Sequence, residues 1–307
     1  MGARTCFFVL FWVLSFLVFK SDLDALIDLS WNDNRYTHIV LIPAVSAGLV
    51  FLKRRKVFRE AQYDPWSSLP VAALAALLYC FAKGWPEYLG QHGSLSAVAA
   101  AIVLVWVAGF VLFYGARCGK AALFPLALLL LAVPIDPAVV EVAEVSLQKG
   151  SAEVTHLIFR LTSTPVFREG LVFSLPGLTI EVAEECSGIR SGISLLITAL
   201  VLGHLFLRSG WSKVCCVLLT VPIAIVKNAV RIATLSMLGV YVSQDYLHGD
   251  LHHRGGPLFS ILSLVLLLAG LWLFRKAEEG IVNRRRPGAG STVAMDKGRQ
   301  TQIRTIG

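Results

Sequence analysis

Apolar residues gather in eight runs, approximately residues 6–19, 38–52, 69–82, 95–115, 121–134, 188–207, 213–238 and 256–274, separated by shorter polar stretches. Such runs approach the ~20 residues that carry an α-helix across the hydrocarbon layer, and the shorter ones reach it by tilting or by recruiting polar flanks. The pattern predicts an all-α polytopic membrane protein with about eight transmembrane helices. Between the fifth and sixth runs the period changes. VVEVAEVSLQKGSAEVTHLIFRLT has apolar residues at helical spacing, which predicts an amphipathic helix on the outer membrane surface with Glu141, Glu144 and Lys149 on its polar face. Leu171, Phe173 and Leu175, then Leu178, Ile180 and Val182, alternate on either side of Pro176-Gly177, and predict a small hairpin.

Composition agrees with a membrane assignment: of 307 residues 56% are hydrophobic and only 16% charged, with mean hydropathy +0.68. A net charge of +8 would suggest nucleic acid in a soluble chain, but the basic residues fall in short clusters between apolar runs. Lys53, Arg54, Arg55, Lys56 and Arg59 follow the second run, and Arg117 and Lys120 the fourth. Arg208 and Lys213 follow the sixth, and Arg275, Lys276 and Arg284 to Arg286 the eighth. Alternate loops are therefore basic, as the positive-inside bias requires, and both termini are expected on the cytoplasmic side. Loops 20–37, 83–94, 135–187 and 239–255 then face outward. Nucleic-acid binding is excluded on the same ground.

Residues 1–286 read as one polytopic domain, and the polar, aperiodic tail 287–307 is expected to be disordered. Arg4, the apolar stretch from Cys6 to Phe19 and then Lys20 resemble a signal peptide. No small-x-small cleavage site follows, so an uncleaved anchor is expected. Cys6, Cys80, Cys118, Cys215 and Cys216 lie in or beside apolar runs without paired spacing, and are read as small buried hydrophobes. No repeat of solenoid length occurs, and no mirrored pair of Gly/Pro-broken helices marks an inverted-repeat transporter.

The topology brings chemistry to one face. Cys186 precedes the sixth span at the outer interface, where a helix N-terminus favours its thiolate, while Glu184 and Glu185 oppose this. The seventh span carries Lys227, Asn228 and Arg231 toward its outer end. An ionised group at membrane depth is usually paired or functional, and Asn228 and Arg231, three residues apart, share a face. The last outward loop delivers His248, His252 and His253 to the depth of Cys186. A thiol, a guanidinium and an imidazole at one membrane face read as a nucleophile, a cationic stabiliser and a base. Zinc is the competing use of the histidines, since His248 and His252 are four apart with Asp245, Asp250 and His253 nearby. Gly249 and the lack of a second ligand cluster argue against it, so neither metal nor other cofactor is expected. The competing function is a non-enzymatic transporter or polysaccharide-export component, in which Arg231 and the histidines line a path.

TPVFREGLVFSLPGLTIEVAEECSGIRSG, then KNAVRIATL, then LHHRGGPLFS resembles the exosortase/archaeosortase family over about residues 160–260. The resemblance implies a cysteine protease or transpeptidase in a bacterial or archaeal cytoplasmic membrane, its active site on the outer face. Its substrates would be proteins ending in a Pro-Glu-Pro-like motif, a transmembrane helix and a basic tail, and a surface acceptor or exopolysaccharide would receive the product. The family nucleophile maps onto Cys186, its arginine onto Arg231 and its histidine onto His252, with Gly256 and Phe259 beyond. His253 stands adjacent as the other imidazole. Gly188, Arg190 and Asn228 accompany them as supporting residues, Arg190 placed to position the substrate's acidic motif or to pair with Glu184 or Glu185. Pro257-Leu258 replaces aromatic residues often seen in the family after Gly256.

Overall fold

The computed structural model describes residues 3–182, 188–242 and 256–284. In chain order the helices are α1 (Ala3–Val18), α2 (Lys20–Asn32), α3 (Leu41–Leu52), α4 (Arg54–Val57), α5 (Pro65–Gly84), α6 (Pro86–Tyr114), α7 (Ala116–Ala121), α8 (Leu123–Leu128) and α9 (Pro137–Leu161). Three short strands follow, β1 (Phe167–Glu169), β2 (Val172–Leu175) and β3 (Leu178–Glu181), and then α10 (Ile189–Phe206), α11 (Gly210–Leu218), α12 (Thr220–Tyr241) and α13 (Gly256–Arg284). The protein is an all-α polytopic membrane protein carrying one small sheet.

Six helical segments among the described residues are long and apolar enough to cross a membrane: 34–52, 65–84, 86–114, 189–206, 210–241 and 258–281. The first and fifth apolar runs are too short alone. Each continues into a second helix after a sharp bend, 76° between α1 and α2 and 92° between 123–132 and α9, and eight spans result if each bent pair counts as one. The tail 287–307 lies outside the described residues.

By contacts the chain divides into two compact units, one of residues 1–150 with 182–194, the other of 151–181 with 195–307. The first is built on an aromatic core. Trp12 stacks on Trp106 with ring centroids 4.9 Å apart, and the Trp106 indole N–H donates to Ser15 Oγ at 3.2 Å. Phe8 packs edge-on against Tyr114 at 5.0 Å. The close approach of α1 to α6 depends on Gly109, where a Cβ would collide with the Phe11 ring. Asp64 caps α5 by accepting from the Ser67 amide at 3.0 Å, with Pro65 preset for the first turn. That bond holds the Asp64 carboxyl below its ordinary range. On α2, the buried Asp22 accepts from Lys83 and Tyr79 of α5, satisfying a carboxylate that would be costly alone.

The second unit packs Leu195, Ala199, Leu207, Cys216, Ile223, Leu267 and Leu271 into one core of α10 to α13. Glu278 accepts from the backbone amides of Arg208 and Ser209 at 3.0 and 2.8 Å, closing the turn between α10 and α11. The predicted hairpin forms at Pro176-Gly177, with Phe173 facing Ile180. It gains a third strand, β1, paired to β2 through a second turn at Gly170. The alternation holds, since Phe173 and Leu175 are buried and Ser174 is exposed. Phe173 is the sheet's anchor: fully buried, it meets Phe159 edge-on at 5.7 Å, while the Arg168 guanidinium stacks over its ring and pairs with Glu153 at 2.8 Å. Phe173→Ala is expected to cost about 3–5 kcal/mol, the range for deleting a buried aromatic side chain. Reversible unfolding in detergent, compared with wild type, measures it.

Two expectations need correction. Of the five cysteines read as buried, Cys118 and Cys216 are, but Cys6, Cys80 and Cys215 are exposed. Burial pushes the Cys118 thiol above its ordinary value, keeping it in the unreactive form. The amphipathic helix α9 is real, but Glu144, placed on its outer polar face, is only 8% exposed. Gln148, Ser151 and Thr155 continue the same inward stripe, whereas Val139, Val142, Leu157 and Leu161 point outward. Where the surroundings are hydrocarbon, polar groups turn inward to find partners, so the sign of the amphipathic pattern inverts along this face. Glu141 and Lys149 stay exposed as expected.

Candidate functional site

α10 starts at an unusual backbone position. Gly188 has φ 74°, in the left-handed region that glycine enters without steric cost. Its carbonyl accepts from Gly192 N at 2.8 Å and from the Ser191 hydroxyl at 2.9 Å, which starts the helix at Ile189, three residues after Cys186. Any side chain at 188 would strain this start. Cys186, Glu184 and Glu185 themselves lie outside the described residues, as do His248, His252 and His253.

Arg190, in the first turn of α10, is exposed, and its Nη1 donates to Asn34 Oδ1 at 2.9 Å. Asn34 sits in a tightly braced turn. Asp33 caps it by accepting from the Arg35 amide at 2.9 Å, and the carboxylate is also gripped by Arg35 Nε and Nη2, the latter at 2.7 Å. The Arg35 guanidinium holds the Asp33 carboxyl below its ordinary range. Tyr36, 1% exposed, donates to the Ile135 carbonyl at 2.8 Å. Asn34 is therefore a fixed acceptor for a guanidinium whose other donors remain at the surface. Sequence reasoning did not find Asn34. The polar run Asp33-Asn34-Arg35 stands out in its loop, but no spacing ties it to a residue 156 positions away.

On the strand side of Cys186, Gln148 of α9 is 4% exposed and donates through Nε2 to the Val182 carbonyl at 3.3 Å. This satisfies a backbone acceptor at the end of the sheet, where ladder bonding stops. The segment holding Cys186 thus leaves from one fixed residue, Val182, and re-enters at another, Gly188.

In the second unit, α12 places Lys227 at 4% and Asn228 at 0% exposure, with Arg231 half-buried. Asn228 Nδ2 donates to the Ser151 hydroxyl at 3.1 Å. Asn228 and Arg231 share a helix face, in line with their spacing. Arg231 stands ten residues ahead of Tyr241, the last residue of α12, about 15 Å along the axis. The apolar run ending at 238 understated the helix because Tyr241 and its neighbours extend it. Among the described residues no three His, Cys, Asp or Glu side chains cluster as metal ligands, and the His248–His252 set falls outside them.

The chain matches the model of the transmembrane exosortase family over residues 30–269, well over half its length. No curated protein and no solved structure matches it.

Proposed function

The chain belongs to the transmembrane exosortase family, membrane-embedded proteases and transpeptidases of protein sorting, and from that premise we propose that it is a cysteine-type sorting enzyme using Cys186, Arg231 and His252. The observation that carries this reading is the family match over residues 30–269, which spans the whole ordered triple. The proposed substrates carry a C-terminal Pro-Glu-Pro-like motif, an apolar helix and a basic tail, and are cut at the outer face of a bacterial or archaeal cytoplasmic membrane. Both termini of the enzyme are cytoplasmic in this reading, as the basic loops imply.

The chemistry follows from the groups. His252 takes the thiol proton, and the Cys186 thiolate adds to a substrate carbonyl just outside the bilayer. Arg231 stabilises the oxyanion as charge develops there. Collapse breaks the C–N bond, the departing amine takes the proton from His252, and a thioester to Cys186 remains. Water, or an acceptor amine or hydroxyl on a surface molecule or polymer, then attacks the thioester and restores the thiol. His253 is the adjacent alternative for the base.

Arg190 is assigned to the acidic residue of the sorting motif, with Asn34 fixing its geometry. Because the pair is exposed and screened, its effect is modest. Arg190→Ala and Asn34→Ala are each expected to raise KM for a Pro-Glu-Pro reporter about 3- to 10-fold with kcat kept. Replacing the motif Glu by Gln lowers wild-type processing by a similar factor and leaves Arg190→Ala unaffected. Steady-state cleavage in proteoliposomes reads both.

Polar burial on α9 and at the middle of α12 is what a transport path would also show, and this favours export as the second reading. A gel-shift separates them. A tagged reporter with the three-part tail is co-expressed with wild type, Cys186→Ala, Arg231→Ala or His252→Ala. Shortening by wild type alone supports the enzyme; equal shortening by all four, or by none, returns the assignment to transport.

A further inference from the structure

Nothing in the proposed chemistry uses α9, yet its C-terminal half keeps a fully buried hydroxyl, Ser151, against a fully buried amide, Asn228. Both side chains are 0% exposed. In a hydrocarbon setting a polar pair of this kind is retained where it fixes one arrangement of two helices, because sliding or turning either one leaves a polar group without its partner. Small residues line this region on both helices: Ala152 beside Ser151 on α9, and Ala229, Ala233 and Ser236 on α12, all buried. Small side chains make rotation sterically easy, so the directional bond supplies the register that packing alone does not.

We propose that Ser151 is a positioning residue for Arg231, setting the rotation of α12 about its own axis through Asn228. The proposal rests on the assignment of Arg231 to the reacting carbonyl. Three residues on, Arg231 follows Asn228 by about 4.5 Å of rise and lies about 60° around the helix, so the two turn as one body. A guanidinium reaches roughly 8 Å from the helix axis, so a rotation of about 8° displaces it by about 1 Å. A misplacement of that size is enough to cost up to about 100-fold in rate. Thr155, one turn further along α9, supplies a control: its side chain is equally buried, and its hydroxyl has no hydrogen-bond partner among the described residues.

The test measures cleavage of the reporter with the Pro-Glu-Pro tail in proteoliposomes at several reporter concentrations. Ser151→Ala is expected to lower kcat about 10- to 100-fold with KM unchanged, Asn228→Ala to do the same, and the double variant to be no worse than either. Thr155→Val keeps the wild-type rate. In an Arg231→Ala background, Ser151→Ala has no further effect, because the group it positions is gone. The proposal is overturned if Ser151→Ala keeps wild-type kcat, or lowers the residual rate of Arg231→Ala by its own full factor. It also falls if Ser151→Ala does not accumulate in the membrane or if Thr155→Val is equally impaired, since the stripe is then only structural. Wild-type activity in Arg231→Ala itself marks a different failure, that of the assigned role of Arg231.

Discussion

Cys186→Ala is expected to stop processing of a sorting-signal reporter, a fall on the order of 10⁴-fold or more, while the protein still inserts in the membrane and unfolds at the wild-type midpoint. The size follows from what is removed. Without a nucleophile no covalent intermediate forms, and only binding and electrostatic stabilisation remain to help water attack. Cys186→Ser is expected to be nearly as damaging, because a serine hydroxyl is far harder to ionise than a thiol, and the helix N-terminus and imidazole proposed to favour the thiolate would not draw out an alkoxide. Stability is spared because the chain on either side is held by other groups. Gln148 holds the Val182 carbonyl, and Gly188 starts α10 through its own carbonyl. Initial rates of reporter shortening, with expression checked by immunoblot, measure the effect.

Arg231→Ala is the second large effect, about 10² to 10³-fold in kcat, or roughly 2.7–4 kcal/mol, the range for losing one preorganised oxyanion donor. Arg231→Lys recovers part of it. An ammonium supplies the charge but not the planar pair of donors, so recovery short of wild type is the mark of a role that uses the guanidinium's fork. If Arg231 only reached for lipid headgroups, both variants would keep the wild-type rate.

Much of this architecture can be read from the chain because hydropathy reports directly on the medium. The runs at 69–82, 95–115, 188–207 and 213–238 fall within α5, α6, the α10 region and the joined α11 and α12, with ends shifted by a few residues. The alternation around Pro176-Gly177 gave β2 and β3 their faces, since period two marks a half-buried strand wherever it occurs. β1 escaped notice because three residues, Phe-Arg-Glu, carry no period at all. The inward face of α9 was misread for a different reason. Periodicity tells which residues share a face but not whether that face meets water, protein or lipid, so the rule that polar residues face outward failed at Glu144. The Asn34–Arg190 and Ser151–Asn228 bonds were invisible because each joins positions far apart in the chain through a single contact. The proposed triple was drawn from the charge pattern and the motifs, which put Cys186 and His252 in loops expected to face outward and Arg231 in the span between them; of the three only Arg231 is among the described residues.

Acylation of Cys186 by a sorting signal is decided by intact-mass analysis of the purified protein after brief incubation with the reporter. A hydroxylamine-labile adduct is expected, with the mass of the reporter's N-terminal fragment joined as a thioester, mapping to the peptide that contains Cys186 and missing from Cys186→Ala. Reporter cleavage at the wild-type rate by Cys186→Ala, with no adduct on the wild-type protein, would contradict it.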